Sequence, residues 1–181
     1  MKKIQSYFFV GPKEIAARID QQYEGHKINQ IEDIEEWINT SNQTIVHEQI
    51  IATFIINEQE ELVISDRHSE HVLCAGGSNV LSAGEITFNF EQAVVAVSDI
   101  SNQSTGYCPK PASWTVVEKV LTKLNIKHPS YFTRAFEFRY CVHCQAKNLI
   151  KEAIYECAVC GLELAAEWNI DKMEKVIVER K

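Results

Sequence analysis

Two cysteine pairs, Cys141-Val142-His143-Cys144 and Cys157-Ala158-Val159-Cys160-Gly161, stand twelve residues apart near one end of the chain. No other feature narrows the possible folds as much. A Cys-x-x-Cys lets a tight turn aim two thiolates at one point, and the residues between the pairs can run out and back so that the second pair closes a tetrahedron. Four soft sulfur ligands suit Zn2+ and leave no position open to water, so the ion is expected to be structural. The pattern reads as a zinc ribbon with Cys141, Cys144, Cys157 and Cys160 as ligands. His143 could replace a cysteine, but four thiolates at the right spacing make it a surface residue. Redox chemistry is the competing reading; it needs a single low-pKa pair at a helix start and leaves the other pair without a role.

The other 140 or so residues, roughly a domain's worth, are ordinary enough in composition to form one cored domain beside this small module. At 45% hydrophobic and 24% charged, the chain belongs with soluble globular proteins. Met1 to Pro12 holds too few apolar positions for a signal peptide or a membrane span, so a cytoplasmic location and no membrane partner are expected. In a reducing compartment, six cysteines with four in knuckles argue for metal and against a disulfide framework. Cys74 and Cys108 are then expected to be small buried hydrophobes.

The net charge of -7 is unevenly spread. Residues 1–106 hold 6 Lys/Arg and 16 Asp/Glu, a balance of -10, whereas 107–181 hold 12 and 9, a balance of +3. The acidic part repels a phosphate backbone, and the other part carries no dense basic patch. RNA or DNA is therefore disfavoured against protein as a partner, and the asymmetry reads most simply as a solvated surface.

Along the chain, Gly11-Pro12 opens a helix with Ile15 and Ile19 on one narrow face, and Ile31, Ile34 and Ile38 beside Trp37 mark a second. Glu32, Asp33, Glu35 and Glu36 fall on its solvent side. From Thr44 the period changes. Thr44–Ile56 and Glu61–Asp66 flank the turn Asn57-Glu58-Gln59-Glu60 as a hairpin, and Glu70–Cys74 and the alternating Glu85–Phe90 follow as strands. Ala93–Ile100, nearly continuous in apolar residues, reads as a central strand. Trp114, Val117, Leu121 and Leu124 mark a helix capped by Thr115 with Glu118, or by Ser113. Phe136–Tyr140 is a strand feeding the first knuckle, and Leu149, Ile154, Leu162, Leu164 and Trp168 are the large hydrophobes of the module. Lys172–Lys181, with Val176, Ile177 and Val178, suits strand or helix.

A polar cluster gathers at 66–109: Asp66, Arg67, His68, Glu70, His71, Glu85, Asn102, Ser104 and Tyr107, separated by glycine-bearing turns. His71 and Glu85 near Ser104 or Tyr107 could do acid/base or nucleophilic work. The plainer reading is turn capping, which Asn102-Gln103-Ser104 also fits. His68-Ser69-Glu70 with Cys141 and Cys144 could be compared with a zinc deaminase, but Tyr140 stands where proline belongs and Cys157 and Cys160 would be orphaned.

His71 with His68 upstream, Ala75-Gly76-Gly77, Ala83-Gly84-Glu85, and then Asn102, Ser104, Tyr107 and Pro109 resemble a small β module of bacterial polymorphic-toxin-associated proteins. The same residues are similar to plant IQ-motif calmodulin-binding proteins, although Thr105-Gly106 stands where those have Gly-His. The resemblance spans about 60–125. The whole chain is similar to uncharacterised bacterial proteins that share the paired knuckles, Leu164 and Trp168-Asn169. It implies a site at 66–109 without naming what it binds.

The expectation is therefore an α+β protein: residues 1–135 as an antiparallel, meander-like sheet with flanking helices, and 136–181 as the zinc ribbon module. The function expected is a zinc-binding cytoplasmic interaction or regulatory protein. The alternative is a hydrolase or transferase with an acid/base site around His71, Glu85, Ser104 and Tyr107.

Overall fold

Where the sequence changes from helical to alternating period, the chain enters a sheet. The computed structural model describes residues 4–19, 23, 25–90 and 95–175. Its five antiparallel strands are β1 (His26–Ile28), β2 (Gln49–Asn57), β3 (Leu62–Asp66), β4 (Val80–Asn89) and β5 (Ala96–Ile100), in the order β1-β3-β2-β4-β5. The expected hairpin is β2–β3. Asn57 builds its turn by accepting the N–H groups of Gln59 at 3.0 Å and Glu61 at 2.9 Å on its side-chain oxygen.

β2 lies in the middle and is covered on both faces, which is why its burial is nearly continuous and not alternating. On one face Ile50, Ala52, Phe54 and Ile56 share a core with Ile34 and Trp37 of α2 (Ile31–Thr40) and with Val117, Val120 and Leu121 of α4 (Trp114–Lys123). On the other face Ile55 and Val63 meet Tyr7, Phe9, Ala16 of α1 (Lys13–Ala16), Val72 and Leu73 of α3 (His71–Cys74), and Tyr107. Cys74 and Cys108 are both fully buried, as small hydrophobes would be.

Several local expectations are corrected. Glu70–Cys74 was expected as a strand, but His71–Cys74 is a single helical turn. Val72, Leu73 and Cys74 are buried in succession, which a strand with one solvated face would not allow. Because α3 crosses the second face, β4 pairs with β2 and not with its predecessor β3. β5 is an edge strand in sheet order, not a central one. Its apolar residues stay buried because the chain beyond α4 lies along that edge: Val97 N–H donates to Lys127 C=O at 2.7 Å and Arg134 N–H to Ile100 C=O at 3.3 Å. A third correction concerns α4, whose cap carries no side-chain bond. Ser113 ends a 3-10 turn, Pro111–Ser113, and its hydroxyl pairs with that of Ser82 at 3.0 Å. Asp33 is not only a solvated acid, since it accepts the N–H of Asn29 at 2.7 Å and closes a capping box with Gln30.

The last segment forms a separate antiparallel hairpin, β6 (Glu137–Tyr140) with β7 (Lys147–Ile150). It rests on the sheet through a small core in which Phe138 and Ile170 meet Val10 and Cys108, with Phe8, Phe136, Tyr140 and Trp168 at its margin. Residues 176–181, and with them Val176, Ile177 and Val178, lie outside the described residues.

Candidate metal centre

The two knuckles are near copies of each other. In the first, Cys141 N–H donates to Ala146 C=O and Gln145 N–H to Cys141 C=O, both at 2.9 Å. In the second, Cys157 N–H donates to Leu162 C=O and Gly161 N–H to Cys157 C=O, both at 2.8 Å. Each loop turns by placing the residue after its second cysteine in the left-handed region, Gln145 at φ 65° and Gly161 at φ 72°. Glycine adopts that conformation freely and glutamine does so at a cost.

These loops bring all four sulfurs within 4.8 Å of one another, the one such group of potential ligands among the described residues. Cys141 Sγ lies 3.7 Å from Cys160 Sγ, and Cys144 Sγ lies 3.5 Å from Cys157 Sγ. A tetrahedron with metal–sulfur arms of ~2.3 Å has edges of ~3.8 Å, so the spacing fits one tetrahedral ion. It is far outside the ~2.0 Å of a disulfide. His143 is exposed and His68 sits in the turn after β3, so neither joins the group.

The electrostatics of the four thiols point the same way. The Cys160 N–H, joined by that of Val159 and the Asn148 amide, pulls the Cys157 thiol down to about 6 against the opposing effect of burial. The Cys144 N–H, with that of His143, holds Cys141 below the usual thiol range. Although the Ala146 N–H lowers Cys144, burial and the other three sulfurs push it up to about 12. Cys160 is likewise raised: the Leu162 N–H lowers it, but burial and the neighbouring Cys141 and Cys157 prevail. Two of the thiols are thus eased toward thiolate and two are held back, a conflict that a divalent cation between them would remove.

Asn148 backs this centre and Arg139 braces the hairpin beside it, and sequence reasoning singled out neither. Asn148 on β7 is buried between the knuckles, where its amide donates to Cys157 Sγ at 3.4 Å and to Ala146 C=O at 3.2 Å, and accepts Ala158 N–H at 2.9 Å. Arg139 is buried too; its guanidinium donates to Ala165 C=O at 3.0 Å and Ala166 C=O at 2.7 Å and pairs with Glu137 at 3.0 Å. Two further asparagines clasp β6 at its ends. Asn169 exchanges both amide bonds with the Tyr140 backbone at 2.8 Å. Asn102, from the sheet side, accepts Phe136 N–H at 2.7 Å and donates to Phe136 C=O at 2.8 Å.

The polar cluster at 66–109 is dispersed among such structural bonds. His71 Nε2–H donates to Gly84 C=O at 3.0 Å, and burial lowers its imidazole to about 4, keeping it neutral. Gly84 itself allows no side chain, since a Cβ there would lie 1.9 Å from Ser101 C=O. Glu85 lies 3.8 Å from Arg134, which pairs more closely with Asp99 at 2.7 Å. Ser104 Oγ accepts the Tyr107 N–H at 3.3 Å within its own turn. The Tyr107 hydroxyl donates to Ser78 C=O at 2.8 Å, its ring packs edge-on to Phe9, and burial raises its phenol well above the usual range. No hydrogen bond or ion pair among the described residues joins any two of His71, Glu85, Ser104 and Tyr107.

No family model, curated protein or solved structure matches the chain. The centre is therefore read from its own chemistry. A closed set of four thiols offers an ion no place for a substrate, and the apolar residues around it are turned outward: Val142, Ile154, Val159 and Leu162 are 58%, 59%, 72% and 48% exposed. Ile154 and Leu162 had been expected among the module's hydrophobes. Of that set Leu164 is the buried one, and Leu149 and Trp168 pack against the sheet-side core.

Proposed function

We propose that this is a cytoplasmic zinc-binding interaction or regulatory protein, in which a structural Zn2+ held by Cys141, Cys144, Cys157 and Cys160 shapes a recognition surface for a partner protein. The observation that carries this reading is the outward display of Val142 and Val159 at the tips of the two knuckles, with Leu162 beside the second. Exposed apolar side chains mark interaction sites where they gather into one patch, and the shared metal would bring these tips together. Backbone N–H groups and the metal fix the knuckles, so the tips are preorganised and lose little freedom on binding.

A protein partner is favoured over RNA or DNA because two cations near the knuckles are committed to carbonyls, and the exposed Lys151 between the knuckles does not by itself make a basic patch. Arg139 is buried among carbonyls, and Lys147 Nζ donates to Val10 C=O at 3.2 Å and to Thr105 C=O at 2.5 Å, so neither is at liberty for a phosphate. No helix among the described residues is long and apolar enough to cross a membrane. None of the six cysteines is joined in a disulfide, which suits a reducing compartment.

Two measurements test the reading. Elemental analysis is expected to find one zinc per chain, and its absence would remove the ribbon. Affinity capture from the native host with the zinc-loaded protein is compared with capture by a Val142→Asp/Val159→Asp variant of equal zinc content and melting temperature. Partners lost with the variant support the proposal; the same partners on both baits contradict it.

A further inference from the structure

The loop that leaves α2 and the turn that follows β3 enclose a cavity of about 600 Å³, open to solvent and remote in sequence from the four clustered cysteines. That volume is in the range of small-molecule sites. Its lining includes Gln43, His47, Asp66, Arg67 and His68 together with the apolar Val46 and Ile51. Most of these groups are donors or cations. Asp66, the acid in the lining, is engaged in the turn, where its Oδ1 accepts the His68 N–H at 2.8 Å.

Gln43 is the informative residue. Its Oε1 accepts the Arg67 N–H at 3.4 Å, which fixes the orientation of the amide. The amide nitrogen Nε2 is then left buried with no acceptor. Buried donors are nearly always paired, and one left unpaired beside an arginine and two histidines lacks an acceptor that the protein does not supply. The rim of the cavity is also unusual. His47 and Glu48 both hold left-handed backbone, at φ 49° and 59°, in a two-residue turn closed by reciprocal 3.0 Å bonds between Val46 and Gln49. Glycine and asparagine normally fill such positions, so this turn holds two side chains in place at a conformational cost.

We infer that this cavity binds a small organic anion carrying a phosphate or carboxylate group, with Arg67 supplying positive charge and with Gln43 Nε2 and the ring N–H groups of His47 and His68 donating to its anionic oxygens. Ile51 gives an apolar surface for the body of the ligand. The site uses none of the metal ligands and none of the knuckle-tip residues, so it stands or falls apart from the zinc proposal.

The test is an amide-shift titration of the full-length, zinc-loaded protein with inorganic phosphate and, separately, with acetate, each against sodium chloride at matched ionic strength. Saturable shifts confined to residues 42–51 and 66–68 are expected. Loss of a charge-assisted bond weakens binding about tenfold or more, so Arg67→Ala and Gln43→Leu should each raise the dissociation constant by that factor. Arg67 is exposed and Gln43 half-buried, and an unchanged spectrum outside the two loops confirms that both variants are folded. Tighter binding of phosphate assigns a phosphate ester as the ligand class, and tighter binding of acetate assigns a carboxylate. Shifts reproduced by chloride, shifts that do not saturate with either probe, or variants that titrate like the wild type overturn the inference.

Discussion

In the sheet, Phe54, Ile56, Ile64, Ile86 and Phe88 are shut off from solvent completely, whereas around the knuckles Val142, Ile154, Val159 and Leu162 stand open to it. The contrast separates two ways of holding a short chain. The sheet buries apolar surface on both faces and gains about 25 cal/mol for each Å² removed from water. The buried cluster at the knuckles consists of Cys141, Cys157 and Leu164, and two of those three belong to the group that could hold a metal. Apart from the strip that rests on the sheet, around Phe138 and Ile170, this segment of about 40 residues has so little to bury that its knuckles do not fold on apolar contacts alone. What a hydrophobic core does for the sheet, an ion held by the four thiols and the backbone bonds around it would do for the knuckles, which leaves the apolar side chains at their tips free to face outward.

The largest effect that could break this contrast comes from truncating one side chain in each region. Phe54→Ala should cost about 3–5 kcal/mol in urea denaturation, because it opens a cavity in a fully enclosed core. Val159→Ala, at an exposed knuckle tip, should cost less than ~0.5 kcal/mol. Comparable losses would mean that the hairpin depends on packing after all.

Acid should separate the regions next. The folded protein holds His71 neutral down to about 4, well below the ordinary imidazole value of 6.5. Between those two values the unfolded chain takes up a proton that the folded one refuses. The contribution of His71 is thus intact above pH 6.5 and lost progressively as pH falls toward 4, by about 2 kcal/mol at pH 5. His71→Gln removes the titration. Between pH 7.5 and 5 the wild type should lose about 2 kcal/mol more than this variant, and protonation of the metal thiols cancels in the difference.

Asn148→Ala should weaken metal binding by about 10–100-fold in a chelator competition, the usual cost of losing a group that orients a ligand. The unfolding of the sheet should not move. The smallest effect is a gain. Gln145 holds the left-handed position that Gly161 fills in the matching knuckle, so Gln145→Gly should raise hairpin stability by about 0.5 kcal/mol, read as slower amide exchange at Cys141 to Ala146.

The metal centre was legible because ligand chemistry is written in local spacing: two knuckles predict their own convergence. α2 was legible for a similar reason, since Ile31, Ile34, Trp37 and Ile38 repeat over ten residues at helical spacing. α3 was not, because four residues are too few to tell alternation from a helical turn. β5 was misplaced because its apolar run looks the same whether a strand or an extended loop covers its outer side, and the cover comes from Lys127 and Arg134, about thirty residues away. Asn148 escaped notice because an asparagine near a cysteine has no signature until the fold brings its amide to Cys157. The polar cluster at 66–109 shows the converse limit. Its side chains are satisfied mostly by backbone carbonyls and amides, and those partners have no residue type for a sequence to reveal.

The most direct test of the contrast is region-by-region amide exchange of the zinc-loaded protein before and after chelation, with Cys157→Ser/Cys160→Ser as the genetic counterpart. Structural zinc supplies an apparent ~10–16 kcal/mol in small modules at neutral pH, far more than this hairpin could lose and stay ordered. Protection should vanish from Glu137 to Leu164 and persist across β2, β3 and β4. A hairpin that keeps its protection without metal, or a sheet that loses its own along with it, would contradict a metal-built hairpin resting on a self-sufficient sheet.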